Sequence, residues 1–344
     1  MISAGSASTH CSFPVNLNVY TGCSHKCKYC YASKSKDINK IEPLNCEREV
    51  KNFISGKRTK LLSAFDWKIP LHIGSNSDPL QPCEEKYRAF LRVLRVFYRT
   101  GYPFMVTTKG RLVAEEPYIS LFEKCNCVVQ ISMACSSYDK FEQGCPTFDE
   151  RLEMVKKLTD RGIRVVCRAE PFIVDYKDEI VSRIKDIASA GAYAVKCGGY
   201  FAKSYHNGMR LEGGSTYKYP PETLARAYRE VREEAHRCGI KFYCSEELLN
   251  DKLSDERECC GTCGLDGFKP NDFTALNIFA GREVHPTTGQ QTVGGARIFR
   301  DVIQGSAKGD KLNKMTFERY IRIYVSEWGD EYRETESMLR EILK

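Results

Sequence analysis

Six short apolar runs, each followed by an amphipathic stretch, restrict the folds open to this chain more than any other feature. The runs cover residues 15–20, 71–76, 104–109, 128–133, 164–172 and 193–200. Most are rich in Val, Ile, Phe and Tyr, the residues that suit a pleated strand. Between them lie helical patterns. Residues 84–99 place Tyr87, Phe90, Leu91, Leu94 and Phe97 on one helical face. Residues 148–161 place Leu152, Val155 and Leu158 at helical spacing and stop at Gly162. Residues 178–190 stop at Gly191 and residues 221–238 at Gly239, where glycine suits a left-handed helix end. Strands joined through helices are parallel, because a hairpin cannot connect parallel neighbours. The alternation therefore predicts a parallel α/β sheet over about residues 12–240.

Past residue 240 the alternation stops. A cysteine-bearing segment (residues 244–263) is followed by the loop His285-Pro286-Thr287-Thr288-Gly289 and by two helical patterns near 314–326 and 330–343. The expected organisation is a core over residues 1–240 and a C-terminal extension over 241–344. A length of 344 residues suits two domains or one α/β barrel with an extension. No run approaches the roughly 18 apolar residues of a membrane helix. The opening Met1-Ile2-Ser3-Ala4-Gly5-Ser6 lacks a basic and an apolar signal region, so the chain is expected to be cytoplasmic.

Seventeen cysteines are close to 5% of the chain, below the roughly 8–10% of disulfide scaffolds. In a reducing compartment, closely spaced cysteines point to metal binding or chemistry. Just past the first strand stands Thr21-Gly22-Cys23-Ser24-His25-Lys26-Cys27-Lys28-Tyr29-Cys30, a C-x3-C-x2-C pattern. Three thiolates on one compact loop can ligate three irons of a [4Fe–4S] cube and leave the fourth iron open. A tetrahedral zinc site would need a fourth Cys or His nearby, and His25 between the ligands fits that role poorly.

This motif, with an aromatic residue before its third cysteine, resembles the radical S-adenosylmethionine (SAM) superfamily. The likeness continues through Asn18-Val19-Tyr20, Gly74-Ser75-Asn76-Ser77-Asp78-Pro79, Thr107-Thr108-Lys109, Gln130-Ile131-Ser132-Met133 and Arg168-Ala169-Glu170-Pro171-Phe172. Over about residues 12–200 it resembles the spore photoproduct lyase-like branch. The resemblance implies a partial (β/α)6 TIM-type barrel with its chemistry at the C-terminal strand ends. It implies that Cys23, Cys27 and Cys30 hold the cluster and that the open iron chelates SAM. Reductive cleavage of SAM would then yield a 5′-deoxyadenosyl radical. By the same resemblance the Tyr29 backbone contacts adenine, and Ser75, Asn76, Ser77 and Asp78 lie where the SAM amino group is held. Lys109 and Arg168 meet its carboxylate, and Ser132 meets its ribose. Plainer readings are a turn at Asp78 and barrel-rim charges at Lys109 and Arg168, paired with a carboxylate such as Glu170. An electron donor such as flavodoxin or ferredoxin is implied as a partner.

One departure stands out. The lyase carries a hydrogen-donating cysteine in the turn after its second strand, where this chain reads Ser75-Asn76-Ser77. Cys83 could substitute only if its loop folds back. Cys197 and Tyr200, near the end of the sixth strand, are the other candidates for hydrogen transfer. A second group of cysteines, Cys244, Cys259, Cys260 and Cys263, has the spacing C-x14-C-C-x2-C. It suits an auxiliary iron–sulfur cluster or, less well, a structural zinc, or else ordinary buried cysteines around a turn.

Net charge is +7, and residues 1–60 hold ten Lys/Arg against four Asp/Glu. That surplus suits a polyanionic partner, or simply a solvated lysine-rich loop. Together with the lyase-like motifs it directs the expected substrate toward a nucleic-acid base or a modified, thymine-derived nucleotide. A small molecule or peptide is the alternative within the same chemistry. A non-catalytic iron–sulfur module is the alternative outside it.

Overall fold

The computed structural model of the chain describes residues 1–4, 11–13, 15–34, 37–57, 69–212, 214, 216–268, 272–284 and 317–343. The loop at residues 285–289 and the start of the helical pattern at 314–316 lie outside the described residues.

The strands in chain order are β1 (Ile2–Ala4), β2 (Val15–Leu17), β3 (Leu71–Ile73), β4 (Phe104–Thr108), β5 (Cys127–Ser132), β6 (Val165–Ala169), β7 (Ala194–Cys197), β8 (Arg210–Glu212), β9 (Thr216–Lys218) and β10 (Lys241–Cys244). One sheet runs β1-β2-β3-β4-β5-β6-β7-β10, and β8 and β9 form a separate hairpin. β1 pairs antiparallel with β2, and every other pairing in the large sheet is parallel. Helices cross between the strands: α1 (Glu47–Ile54), α2 (Glu84–Tyr87), α3 (Ala89–Thr100), α4 (Tyr118–Phe122), α5 (Phe148–Thr159), α6 (Lys177–Ser189) and α7 (Pro221–Arg237). After β10 come α8 (Glu247–Leu253), α9 (Ala275–Phe279) and α10 (Phe317–Ile342). The result is a partial TIM-type barrel.

All six expected strands form, but shorter than their apolar runs suggest. Residues 74–76 and 198–200 leave the ladder and become loops at the C-terminal strand ends. The parallel series has seven strands, because β10 pairs with β7 in register Lys241↔Ala194 through Cys244↔Cys197. The sheet thus runs past residue 240, where the sequence pattern stops. The four residues of β10 are too few for periodicity to mark. The predicted helix over 84–99 is broken at Arg88, which has φ 50°. The two C-terminal helical patterns form one helix, α10, which tolerates Gly329 in its interior.

Every residue of β5 and of β7 is buried, as expected of parallel strands covered on both faces. Helix α5 opens with a capping box in which the Thr147 side chain accepts from Glu150 N and Glu150 accepts from Thr147 N. Helix α7 opens with Pro221, whose fixed φ suits a first helical turn. Among the described residues no helix is long and apolar enough to cross a membrane.

Candidate active site

The cysteine loop leaves β2 and is tied down from three directions. Cys23 N donates to Ile38 O at 2.9 Å, and Lys28 N donates to Phe141 O at 2.8 Å. The buried Gln81 side chain donates to Gly22 O at 3.0 Å and accepts from Ser24 N at 2.8 Å. His25 is fully enclosed, with Nδ1 3.2 Å from Gly144 O and Nε2 3.0 Å from Asp78 Oδ2. Asp78 also accepts from Leu80 N at 2.8 Å, Thr108 Oγ1 at 2.6 Å and Lys109 N at 2.6 Å. Burial opposes its charge, yet His25 and these donors hold its carboxyl below the ordinary value. Burial likewise opposes a charged His25, but the Asp78 carboxylate raises its pKa.

Beside this loop, at the C-terminal strand ends, opens a cavity of about 910 Å³. Cys23, Cys27 and Cys30 all line it. So do Tyr29, Ser75, Asn76, Ser77, Asp78, Lys109, Ser132 and Arg168, the positions expected to contact SAM. The three cysteines are half-buried free thiols. Ligands of an iron–sulfur cube bind different irons, so they need not converge on one point, and this donor set fits such a cluster. Burial pushes the Cys23 thiol up to about 12. A hydrogen bond from the Cys145 thiol lowers the pKa of Cys27 against its burial, with help from Lys109 and His25.

The rest of the cavity wall is charged and tightly bonded. Lys109 Nζ donates to Ser132 Oγ at 2.6 Å, stands 3.6 Å from Glu142 Oε1 and lies 5.7 Å from the Tyr29 ring centre. Glu142 accepts from the Tyr29 hydroxyl and from Arg151. Burial pushes the Glu142 carboxyl up to about 7, although Arg151 opposes the rise. Arg168 pairs with Glu170 and donates from Nη1 to Thr107 Oγ1 at 2.7 Å, while its buried Nε has no partner. Lys196 Nζ lies 3.4 Å from Glu170 Oε1. Burial opposes the Glu170 charge, but Arg168 and Lys196 hold its carboxyl down at about 2. His72 Nε2 is 2.9 Å from Thr107 Oγ1. Burial and the same two cations push His72 down to about 3, so its ring is neutral.

Gly74 makes this packing possible. It has φ +91°, and a Cβ there would fall 2.3 Å from Thr107 O. Only glycine lets the turn after β3 pass that close to β4.

The three candidates for hydrogen transfer divide between the cavity and the core. Tyr200 lines the cavity, with its ring 5.2 Å from that of His206. Cys83 does not line it. The chain after Pro79 runs straight into α2, and Cys83 sits at that helix's start, so the loop never folds back. Cys197 ends β7 fully buried and also does not line the cavity. Its side chain packs into the core, and the glycines that follow it, Gly198 and Gly199, form the wall.

The second cysteine group is not brought together as one site. Cys244 ends β10, buried beside Ser254 Oγ at 3.8 Å. Cys263 is exposed, and its carbonyl accepts from Arg164 at 2.7 Å, at the N-terminal end of β6. Cys244 and Cys263 therefore sit at opposite ends of the strands. Cys259 and Cys260 lie with their sulfurs 4.0 Å apart, and Gln130 of β5 donates to Cys260 O at 3.0 Å. Among the described residues no three His, Cys, Asp or Glu side chains are close enough to hold a single metal ion.

No sequence motif gave a role to Glu142 or His72, and Arg151 stood only within the resemblance, in Asp149-Glu150-Arg151-Leu152. Glu142 follows a short 3₁₀ turn (Ser136–Phe141), and Arg151 is a charged residue in an amphipathic helix, where solvent exposure is the default. The one available signal was the capping box at residues 147–150, which fixes how α5 enters and so where Arg151 points.

Residues 17–199 match the Radical SAM superfamily. Uncharacterized proteins of Mycobacterium bovis and Mycobacterium tuberculosis are 26% identical over 260 residues, covering 70% of this chain and 73% of their own length. Among solved structures, spore photoproduct lyase complexed with dinucleoside spore photoproduct aligns at TM-score 0.57 and 13% identity, covering 72% of this chain and 79% of that chain. A doubly substituted form of the lyase with bound AdoMet and the same dinucleoside aligns at TM-score 0.56 and 14% identity, with the same coverage. At such identities the likeness is one of fold.

Proposed function

The chain belongs to the Radical SAM superfamily and is an enzyme, and from that premise we propose that it cleaves SAM reductively at a [4Fe–4S] cluster held by Cys23, Cys27 and Cys30, and that its substrate is a nucleic-acid base or a modified, thymine-derived nucleotide. One observation carries the reading: the three thiols and all the expected SAM contacts line the same cavity. When bound, the cluster and SAM supply a 5′-deoxyadenosyl radical that takes a hydrogen atom from substrate.

The chain's own residues bind and orient. Lys109 and Arg168 present cations to a carboxylate, and Arg168 Nε is a donor in need of an acceptor. Ser75 and Asn76 line the cavity and carry hydroxyl and amide groups suited to an ammonium, while the buried Ser77 hydroxyl donates to Tyr20 O at 2.9 Å. Asp78 acts from behind, since both its oxygens are committed to His25, Thr108 and backbone donors. The volume of about 910 Å³ suits a cofactor together with part of a substrate.

The substrate class rests on the cavity mouth. Tyr31, Phe201 and Leu211 are exposed apolar side chains there, with Arg210 and Lys218 beside them. Aromatic faces among cations suit unstacked bases and their phosphates. A base in duplex DNA would first have to be extruded. The lyase's own route to thymine-dimer repair is not proposed, because neither Ser75-Asn76-Ser77 nor Cys83 offers a cavity thiol. A small-molecule or peptide substrate is the second reading, favoured by Glu212, Glu246 and Glu331, which line the same cavity. An electron donor of the flavodoxin or ferredoxin type is the expected protein partner.

The test is anaerobic reconstitution and reduction with dithionite. Formation of 5′-deoxyadenosine is expected, and none with any substrate sinks the proposal. Binding to a single-stranded oligonucleotide, titrated with salt, decides between substrates. Affinity that falls as salt rises supports the nucleotide reading, and no affinity at low salt removes it.

A further inference from the structure

We infer that Glu142 is a positioning residue for the cofactor: its buried carboxylate holds Tyr29 and Lys109, from two different strand-end loops, against the same pocket wall. The inference deepens the SAM reading and rests on it.

Glu142 comes from the segment between β5 and α5, far in sequence from both partners. It accepts from the Tyr29 hydroxyl, stands 3.6 Å from Lys109 Nζ, and is anchored from behind by Arg151. Arg151 is itself buried and fixed to backbone, donating to Ser132 O at 2.6 Å and to Pro146 O at 2.8 Å. The Glu142 carboxyl group therefore sits between the Lys109 and Arg151 cations. The segment carrying Glu142 also grips the cysteine loop directly. Lys28 N donates to Phe141 O at 2.8 Å, and His25 Nδ1 lies 3.2 Å from Gly144 O. Tyr29 stands between two cluster cysteines, so a bond to its hydroxyl also fixes the loop that carries them.

The physical consequence is preorganisation. Lys109 has four rotatable carbons, and without Glu142 its ammonium would sample many positions at an entropic cost on binding. With Glu142 and Ser132 as partners, its charge is parked at the wall of the pocket before any ligand arrives. Tyr29 is likewise held with its ring toward the cavity.

The experiment measures binding of S-adenosylhomocysteine to anaerobically reconstituted protein by calorimetry. It also follows the change that added SAM makes in the electron paramagnetic resonance signal of the reduced cluster. Glu142→Gln keeps the shape but loses the ion pairs. It should weaken binding about tenfold or more and require correspondingly more SAM for the spectral change, with KM for SAM rising more than kcat falls. Tyr29→Phe removes one hydroxyl and should weaken binding by a smaller factor with unchanged melting temperature and iron content. It carries the test if Glu142→Gln does not fold. A purely structural role would lower the folded, iron-loaded fraction and leave the affinity of that fraction alone, and this result overturns the inference. So does wild-type affinity in the variant that folds. If the wild-type protein itself binds neither S-adenosylhomocysteine nor SAM, the SAM reading fails and the role of Glu142 falls with it.

Discussion

His25 Nε2 lies 3.0 Å from Asp78 Oδ2, with both side chains closed off from solvent, and this pair ties the cysteine loop to the turn after β3. The two residues are 53 positions apart. His25 lies between the cysteines, where it suits a metal ligand poorly, and both its ring nitrogens are occupied, by Asp78 and by Gly144 O. Its work is to hold the loop's shape while the three cysteines stay free for a cluster.

Breaking that pair should therefore cost both stability and cluster loading. Asp78→Asn leaves the buried His25 without a counter-charge and weakens three further bonds, from Leu80 N, Thr108 Oγ1 and Lys109 N. A loss of about 3–5 kcal/mol is expected in chemical denaturation, with reduced iron uptake on reconstitution. Unchanged unfolding midpoints would show that the pair bears no load.

Iron content separates the two cysteine groups. The reconstituted protein should hold about four irons per chain, because Cys244 and Cys263 lie at opposite strand ends. Cys27→Ala should lose most of that iron and its visible absorption. A Cys244→Ala/Cys263→Ala variant should retain it. About eight irons in the wild type, falling to about four in that double variant, would contradict the separation.

The neutral His72 links stability to pH. Its pKa is about 3 in the folded chain, whereas an unfolded histidine titrates near 6.5. Between those values the unfolded chain binds more protons, so stability falls as pH drops below about 6.5. Glu170, held at about 2, adds to the loss below the ordinary carboxylate range. One proton sets a slope of at most about 1.4 kcal/mol per pH unit. His72→Gln should flatten the melting-temperature profile between about pH 4 and 6.5. An unaltered profile would assign the acid sensitivity to other groups.

Gly74 offers a test of the site's packing. Gly74→Ala forces a left-handed backbone on alanine and drives its Cβ to 2.3 Å from Thr107 O. A loss of at least about 1–3 kcal/mol is expected, together with weaker SAM binding, because Ser75 to Asp78 follow directly. A variant with wild-type stability and affinity would mean that the turn shifts freely.

The sequence alone determined the repeating strand-and-helix order and singled out the cysteine loop. Both are written in local signals, a hydrophobic period and a cysteine spacing, that survive without knowledge of distant contacts. The positions at strand ends, such as Lys109, Ser132 and Arg168, came from the resemblance, and they line one cavity because strand order places successive strand ends around one mouth. Only the tertiary structure decided what those residues touch. Asp78 faces His25 because the turn after β3 packs under the cysteine loop, and Arg168 pairs with Glu170 and Thr107 inside the barrel. Glu142 came into view in the same way. A charged residue after a short turn looks solvent-exposed in sequence, and burial against Arg151, Lys109 and Tyr29 is a property of three segments meeting. The second cysteine group shows the opposite relation. Its spacing is compact along the chain, but β10 carries Cys244 to the C-terminal strand ends while Arg164 holds Cys263 at the N-terminal ends. Proximity in sequence sets how far apart residues can be, and the packing of strands sets where they are.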